Sequence, residues 1–459
     1  MNASLSRGEC GAHHEGGSVN PCTVCAPLGA AVASAGIART VPLLHGAQGC
    51  ATYIRRYLIS HFREPMDIAS SSFGESQTVF GGEDNLSRAL DNIDQQYAPD
   101  LVTVATTCLA ETIGEDLPLL LKRYRERRPH ALRVVHASTP SFKDGHIEGF
   151  HAMIRAVVTQ MTAGDPLPHG PTVSTQPARV NVLAPMVSPA DLRHLRELVE
   201  AFGLSATILP DYSDTLDGTI LEEYRRIPEG GTPIDEIRQM SWSLSTLDLT
   251  LTGRAPRASD VLEQRGCPAV LLGLPIGVRA TDALVDRLAT LSNTPEPAWL
   301  TQERGRLLDA YADGHKYVFG KRVGIYGDPE LVAGIARFVA EIGMRPVLCA
   351  TGARNRALEP ALEGVEGVEQ IQSDTDFARI EAASRGLELD LLVGTSKGYR
   401  MARELRVPLV RVGFPIHDRF GAARLLCLGY RGTMQLFDTL VNTVIERKQE
   451  GSNVGFSYL

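Results

Sequence analysis

Short apolar runs alternate with amphipathic segments along most of the chain, and the same rhythm returns in three successive blocks. In the second block, the run VNVLAP at 180–185 is followed by Ser188 and Pro189, which are typical of an N-cap and a first helical position. Apolar residues then recur at helical spacing as far as Gly203, and ATILP at 206–210 is the next predicted strand. This order of strand, turn, helix and strand predicts parallel sheets with helices on both faces.

The third block follows the same plan and ends in a helix predicted from about Tyr430. Its predicted strands are 322–326, 345–349, 389–394 and 408–413, and those of the first block are 101–106 and 132–137. A chain of 459 residues is long enough for two to four domains. We therefore expect an α/β fold of three Rossmann-like domains, each with a parallel sheet flanked by helices.

Domain boundaries are predicted near residues 175 and 310. They divide the chain into α/β domains at 20–175, 176–310 and 311–459, the last of which carries the C-terminal helix. Residues 1–19 are rich in Gly, Ser and His and show no periodicity, so we expect a flexible N-terminal arm there.

Composition and charge exclude several classes of protein. The 46 Lys and Arg against 54 Asp and Glu give a net charge of −8, which disfavours binding to nucleic acid or to an anionic membrane. No apolar stretch is long enough for a membrane helix, and the N-terminus lacks the apolar core of a signal peptide. We therefore expect a cytoplasmic protein, in which the eight cysteines are reduced thiols or metal ligands.

Three cysteines and a serine lie where chemistry is expected in a parallel sheet. Cys108 follows the strand at 101–106, Ser141 follows the strand at 132–137, and Cys50 ends the Gly-flanked loop LHGAQGC. Ligands collect at the carboxyl ends of parallel strands, and thiolates are good ligands for iron. With Cys25, which precedes an apolar Gly/Ala-rich helix, these residues suggest an iron–sulfur site.

Spacing alone leaves other interpretations open. The intervals of 25 and 58 residues between Cys25, Cys50 and Cys108 match no ferredoxin run, and each cysteine could simply be a small buried thiol behind a strand. Cys22-x-x-Cys25 could be a redox pair or half of a zinc site, although no second CxxC completes a four-thiolate cage. We interpret three further cysteines as structural: Cys267, Cys349 and Cys427.

Nucleotide-binding motifs are missing. The chain contains neither GxxxxGK[ST] nor GxGxxG. The sequence therefore has no recognisable binding motif for ATP or NAD. His45 and His61 flank the Cys50 loop, where they could influence electron transfer, although a structural hydrogen-bonding role is the commoner one for histidine.

The amino-acid sequence of the first block resembles one family specifically, the β-type subunit of nitrogenase component 1 and its relatives. The motifs PCTVCAPLGAA, LLHGAQGC, SHFREP, ASSSFGES, VFGGEDNL, TTCLAETIGED and TPSF follow one another over residues 21–142. The last block continues the resemblance with KRVGIYGDPEL, VGTSKG, PLVRVGFPIHDR and LGYRG. The resemblance thus covers nearly the whole chain.

This resemblance implies a ligand set and partners. By its motifs, Cys25, Cys50 and Cys108 would be the β-side ligands of an eight-iron P-cluster, [8Fe-7S], shared with a homologous α-type subunit in an α2β2 heterotetramer. Ser141 matches the serine whose oxygen can join an iron when the cluster is oxidised, whereas Cys22 stands beside the motif as an extra residue. An ATP-dependent homodimeric iron protein would supply electrons, and an iron–sulfur cofactor would lie in the partner subunit.

Several branches of the family are compatible with these motifs. Cofactor-assembly scaffolds commonly carry glycine at the position of Cys108, which is filled here, although the segment ILPDYSDTLDG at 208–218 resembles that branch. The chain is also shorter than the β subunit of the molybdenum enzyme. This mixture favours a nitrogenase-like reductase, in particular methylthio-alkane reductase, which reduces volatile organic sulfur compounds to methanethiol and hydrocarbons. An assembly scaffold, a dinitrogen-reducing nitrogenase and a protochlorophyllide-type reductase are the alternatives.

Overall fold

The computed structural model describes residues 20–128, 132–162, 177–220, 223, 225–354 and 356–452. Within these residues the strands form three parallel sheets, with helices packed against their faces. The predicted α/β architecture with parallel sheets is therefore confirmed. The arm predicted at 1–19 lies outside the described residues.

The first sheet has the strand order β2-β1-β3-β4. β1 and β3 are central neighbours, β2 lies outside β1, and β4 lies outside β3. Its strands are β1 (Thr40–His45), β2 (Ala69–Ser70), β3 (Leu101–Thr106) and β4 (Val134–Ala137). Its helices are α1 (Ala26–Ala35), α2 (Gln48–Phe62), α3 (Glu75–Phe80), α4 (Glu83–Tyr97), α5 (Cys108–Thr112), α6 (Leu117–Arg127) and α7 (His146–Met161).

The second sheet repeats this arrangement with the order β6-β5-β7-β8. Its strands are β5 (Arg179–Leu183), β6 (Ser205–Leu209), β7 (Ser245–Asp248) and β8 (Ala269–Leu271). The helices of this part are α8 (Pro189–Glu200), α9 (Ile234–Arg238), α10 (Ala258–Gln264), α11 (Val278–Ser292) and α12 (Ala298–Val318). The boundary predicted near residue 310 falls inside α12, which runs without interruption from 298 to 318.

The third sheet has five strands in the order β11-β10-β9-β12-β13. These are β9 (Arg322–Tyr326), β10 (Arg345–Ala350), β11 (Gln370–Gln372), β12 (Leu391–Gly394) and β13 (Leu409–Arg411). The helices are α13 (Pro329–Glu341), α14 (Leu358–Ala361), α15 (Phe377–Ser384), α16 (Tyr399–Leu405) and the C-terminal α17 (Gly429–Glu450).

Local sequence explains where these elements start and stop. Ser188 caps α8, because its Oγ accepts a hydrogen bond from the Asp191 N–H at 3.0 Å, and Pro189 occupies the first turn. Gly203 follows this helix with φ of +70°, a left-handed conformation that glycine adopts without strain. The buried strands of each sheet are nearly continuous apolar runs, as expected for parallel strands covered on both faces.

Two glycines allow α1 and α7 to pack against each other at backbone distance. A Cβ added at Gly29 would lie 1.7 Å from the carbonyl oxygen of His146, and one added at Gly149 would lie 2.0 Å from that of Ala26. Only residues without side chains permit this approach. The contact fixes the N-terminus of α1, and therefore Cys25 immediately before it, against the start of α7.

The three sheet domains are joined by buried polar contacts as well as by a shared apolar core. Glu330 of α13 accepts hydrogen bonds from the Thr252 N–H at 2.7 Å and its hydroxyl at 2.8 Å, which ties the loop after β7 to the third domain. The first described residues form another link, since the Phe377 N–H donates to the Asn20 carbonyl at 3.2 Å. Among the helices that the structure describes, none combines the length and apolar character that crossing a membrane requires.

Replacing Gly29 by alanine should lower the free energy of unfolding by about 3 kcal/mol, because the new methyl group overlaps the backbone of α7. Urea unfolding of the purified chain measures the change. Gly305→Ala is the matched control: Gly305 lies in α12 with open space around its Cα, so alanine should raise stability by about 0.5–1 kcal/mol. Equal effects of the two substitutions would contradict the close helix contact.

Candidate metal centre

Cys50 and Cys108 flank the point where the first sheet changes direction. β1 and β3 are neighbours, and the chain leaves them toward opposite edges, so their following loops diverge and open a crevice. Cys50 lies in the first turn of α2, after β1, and Cys108 is the first residue of α5, after β3. Both sulfur-bearing residues therefore lie at the carboxyl edge of the same pair of strands.

The loops that carry these two cysteines touch each other. The Thr107 N–H donates to the His45 carbonyl at 3.0 Å, and a Cβ added at Gly46 would lie 1.8 Å from Thr107 Oγ1. The absence of a side chain at Gly46 thus allows the loop after β1 to pack on the loop after β3. This contact holds the start of α2 beside the start of α5.

Ser141 links the Cys25 segment to Cys108. Its Oγ accepts a hydrogen bond from the Ala26 N–H at 3.1 Å, next to Cys25 in the chain, and its own N–H donates to Cys108 Sγ at 3.3 Å. Cys25 also forms an isolated antiparallel bridge with Gly145, just before α7. The four predicted residues, Cys25, Cys50, Cys108 and Ser141, are thus gathered at one edge of one sheet.

The three thiols share one electrostatic environment. Burial raises the pKa of the Cys25 thiol to about 11, and negative charge on Cys50 and on Cys108 raises it further. Burial also raises the pKa of Cys50, with a second contribution from charge on Cys108. These thiols therefore act on one another across the crevice, and three thiolates there would repel one another unless positive charge lay between them.

The donor set fits an iron–sulfur cluster better than a single metal ion. Each of the seven cysteines in the described ranges is a free thiol, and Cys25, Cys50 and Cys108 are all partly exposed. The described residues contain no group of three His, Cys, Asp or Glu side chains placed to hold one ion. A multi-iron cluster makes a different demand, because each thiolate can bind a separate iron, and iron supplies the positive charge that the thiolates need.

Cys22 does not belong to this group. Cys22 packs against the third domain, where a Cβ added at Gly352 would lie 2.9 Å from the Cβ of Cys22. Burial raises the pKa of the Cys22 thiol to about 12, and its charged neighbours are Lys397 and Asp376 rather than the other cysteines. The two cysteines of the CxxC motif therefore lie in different environments, and the structure offers no support for a Cys22–Cys25 redox pair or zinc site.

The two histidines near the crevice make structural hydrogen bonds. His45 is fully buried, with Nε2 bonded to Glu115 and Nδ1 lying 3.1 Å from Ser71 Oγ. His61 accepts a hydrogen bond from the Ile416 N–H at 2.9 Å, and burial lowers the pKa of its imidazole to about 3, which keeps it neutral. Both rings therefore brace the loops around the site.

Sequence reasoning missed a link between the Cys25 segment and the third domain. His146 Nδ1 accepts a hydrogen bond from the Val24 N–H at 3.4 Å, and His146 Nε2 lies 3.0 Å from Asp328 Oδ1. Neither residue belongs to a local pattern that would have revealed the pair, because Asp328 follows β9, far along the chain. Tyr57 was missed as well: negative charge on Cys25 contributes to its raised pKa, which places it near that thiol.

Comparison with known proteins gives the same family as the motifs. The model of nitrogenase component 1 type oxidoreductases matches residues 25–445. The chain is 34% identical over 437 residues to the nitrogenase molybdenum-iron protein beta chain of Clostridium pasteurianum, covering 94% of this chain and 93% of that one. It is 36% identical to the beta chain of Methanothermobacter marburgensis, with 94% and 95% covered. This chain belongs to the nitrogenase component 1 family, on the beta-chain side.

The fold agrees over the full length of a solved relative. The structure described as "Nitrogenase Cp1 at pH 6.5" superposes with a TM-score of 0.89 at 33% identity and covers 98% of each chain. The nitrogenase-family oxidoreductase assignment made from motifs is thus confirmed. Length does not separate the branches, because this chain covers 93% of the Clostridium molybdenum-iron beta chain and 85% of that of Azotobacter vinelandii.

Ser141→Ala should lower the free energy of unfolding by about 1 kcal/mol, because the Ala26 N–H loses its acceptor at the start of α1. Ser60→Ala is the control, since the Ser60 hydroxyl bonds only the Arg56 carbonyl of its own helix, and it should change stability by less than about 0.5 kcal/mol. Urea denaturation of the three chains measures both values. An unchanged stability in the Ser141 variant would remove the argument that this hydroxyl positions Cys25.

Proposed function

We propose that this chain is the β-type, electron-relay subunit of a nitrogenase-like two-component reductase. In this proposal Cys25, Cys50 and Cys108 hold one half of a P-cluster, [8Fe-7S], and Ser141 is the fourth residue of the site. The observation that carries the proposal is the gathering of three electrostatically coupled, unpaired thiols at the direction change of the first sheet. Family membership supports the same assignment.

Each of the four residues has a task that its surroundings support. Cys50 and Cys108 are carried on adjoining loops that Gly46 and Thr107 lock together. Cys25 is held at the N-terminus of α1 by the helix contact with α7 and by the bond from Ala26 to Ser141. When bound, the cluster supplies sites that accept and release single electrons with little movement of the ligands.

Exposed apolar side chains beside the thiols support a partner subunit that covers this edge. Tyr53, one turn after Cys50, is 55% exposed, and Phe142, directly after Ser141, is 52% exposed. Exposed aromatic side chains are typical of protein interfaces. We assign this edge to a homologous α-type subunit that completes the cluster in an α2β2 heterotetramer and houses the iron–sulfur cofactor that reduces substrate.

The energy and electron source lies outside this chain. Its sequence contains no P-loop, so ATP hydrolysis is assigned to a separate homodimeric iron protein that docks on the assembled subunits. The proposed location is the cytoplasm, where thiols remain reduced and available for iron.

For the substrate, we propose methylthio-alkanes, with methanethiol and a hydrocarbon as products. This preference rests on overall likeness: every ligand position is filled, while the segment at 208–218 resembles the scaffold branch. The side chains of this segment are structural, since Tyr212 is fully buried and Thr215 Oγ1 donates to the Ala35 carbonyl at 2.7 Å, at the end of α1. Substrate choice is therefore assigned to the cofactor pocket of the partner.

Replacing Cys108 by alanine should remove most cluster iron from the complex, because a β-side iron loses its thiolate. The complex is purified without oxygen together with its partner subunit, and iron content and electron paramagnetic resonance are measured. Cys22→Ala is the matched control, since Cys22 is also a partly buried free thiol but faces Lys397, so iron and spectra should stay at wild-type levels. Equal iron in the wild-type and Cys108 complexes would overturn the ligand assignment.

Turnover assays separate the reductase from its alternatives. With a reducing iron protein and ATP, the complex should release methanethiol from a volatile methylthio-alkane, measured by gas chromatography, and should form little ammonia under dinitrogen. Ammonia without methanethiol would instead identify a dinitrogen-reducing nitrogenase. An assembly scaffold would show no turnover and would transfer its cluster to an apo-enzyme.

A further inference from the structure

A cavity of about 370 Å³ lies between the first and second domains, away from the cysteine site. It opens at the carboxyl ends of β5 and β7, the two neighbouring strands at which the second sheet changes direction. Leu183 and Asp248 end these strands and line the cavity, and α7 of the first domain closes the opposite side with His151 and Arg155. In open α/β sheets this crevice is where small ligands bind.

Three arginines line this cavity, and two of them lack a carboxylate partner. Arg254 lies 3.7 Å from Asp144 in an ion pair across the mouth between the two domains. Arg155 makes no hydrogen bond or ion pair with any described residue. Arg257 makes a long hydrogen bond of 3.4 Å to the Leu251 carbonyl, and its buried Nε has no hydrogen-bond partner among the described residues. Arginine without a counter-ion in a crevice favours a bound anion.

Asp144, Glu148 and Asp248 also line the cavity, but none of them hydrogen-bonds the side chain of Arg155 or Arg257. Asp248 is buried and accepts hydrogen bonds from Ser259 Oγ and from the Thr250 hydroxyl and N–H, and it acts on Arg257 only through its charge. A groove on the other side of Arg155 contains Glu111 and Glu115. Glu111 is bonded to the Thr106 and Ser138 hydroxyls, and Glu115 is bonded to His45 and to the Gly82 N–H.

The remaining wall fits an organic molecule rather than a metal ion. Its apolar part consists of Ile147, Ala152, Ile154, Leu183, Ala184 and Ala258. Burial lowers the pKa of His151 to about 4, so this imidazole is neutral at pH 7 and can hydrogen-bond a ligand without adding a charge to the site. Burial raises the pKa of Glu148, whose Oε1 is buried without a hydrogen-bond partner.

We propose that this cavity is a binding site for a small organic dicarboxylate, held by Arg155 and Arg257 with its carbon chain against the apolar wall. Two guanidinium groups that hydrogen-bond no carboxylate of the described residues match two carboxylates, and guanidinium binds carboxylate through paired hydrogen bonds. At about 30 Å³ per water-sized group, the cavity holds roughly a dozen non-hydrogen atoms. The site goes beyond the electron-relay role and does not depend on it.

The structure also explains how the site is kept in shape. The loop that carries Arg254 and Arg257 is anchored to the third domain through Thr252 and Glu330, and to the first domain through Arg254 and Asp144. A ligand between Arg155 and Arg257 would add another bridge between the first and second domains. Binding should therefore raise the melting temperature of the chain.

The test is isothermal titration calorimetry of the full chain with glutarate, at constant ionic strength, with inorganic phosphate as the comparison ligand. Glutarate should bind with one site per chain. Arg155→Gln and Arg257→Gln should each weaken glutarate binding about ten- to a hundredfold, because each removes charge-assisted hydrogen bonds. Arg306→Gln is the control, since Arg306 is an exposed arginine on α12 that forms no ion pair within the described part of the chain, and it should leave binding unchanged.

A second measurement needs no variant. Phenylglyoxal modifies accessible arginines, and mass spectrometry of the treated wild-type chain should show that glutarate protects Arg155 and Arg257 but not Arg306. No glutarate binding, or equal weakening by all three substitutions, would overturn the site. Tighter binding of inorganic phosphate than of glutarate would overturn the assignment to an organic dicarboxylate. Because the readouts are binding and protection, failure of the cluster assignment would leave them unchanged.

Discussion

The backbone contact between α1 and α7 is the constraint on which the candidate centre depends. Gly29 and Gly149 bring the two helices together at a distance that no side chain would allow. This contact puts the start of α1 beside the loop before α7, so that the Ala26 N–H reaches Ser141 and Cys25 pairs with Gly145. Without it, Cys25 would lose this support for its position relative to Cys50 and Cys108, which follow strands.

All three described sheets change direction between two neighbouring strands, and in two of them this point carries different chemistry. In the first sheet, the direction change between β1 and β3 carries the loops with Cys50 and Cys108. In the second sheet, the direction change between β5 and β7 opens a cavity lined by arginines. Diverging loops create a crevice in both cases, and the side chains that line it decide whether it suits a metal cluster or an organic anion.

Polar contacts join the domains at the points where these two sites need support. His146 stands between the Val24 N–H and Asp328, so the segment that carries Cys25 is tied to the third domain. Thr252 and Glu330 do the same for the arginine-bearing loop, and burial raises the pKa of Glu330 to about 7. Buried groups of this kind are stable only when hydrogen-bonded, so they specify one arrangement of the domains.

The amino-acid sequence by itself determined the α/β class, most strands and the family, because apolar periodicity and short motifs are local properties of the chain. The strands at 101–106 and 322–326, and the helix start at Ser188, needed only neighbouring residues for their prediction. Spacing alone could not separate Cys22 from Cys25, which are three residues apart but face different domains, and the sequence chose between them only through the family motif. That distinction, the contacts of Ser141 with residues 33 and 115 positions away, and the lack of a carboxylate hydrogen-bond partner for Arg155 and Arg257 among the described residues were decided only by the tertiary structure. Each depends on which distant parts of the chain pack together, and no local pattern records that.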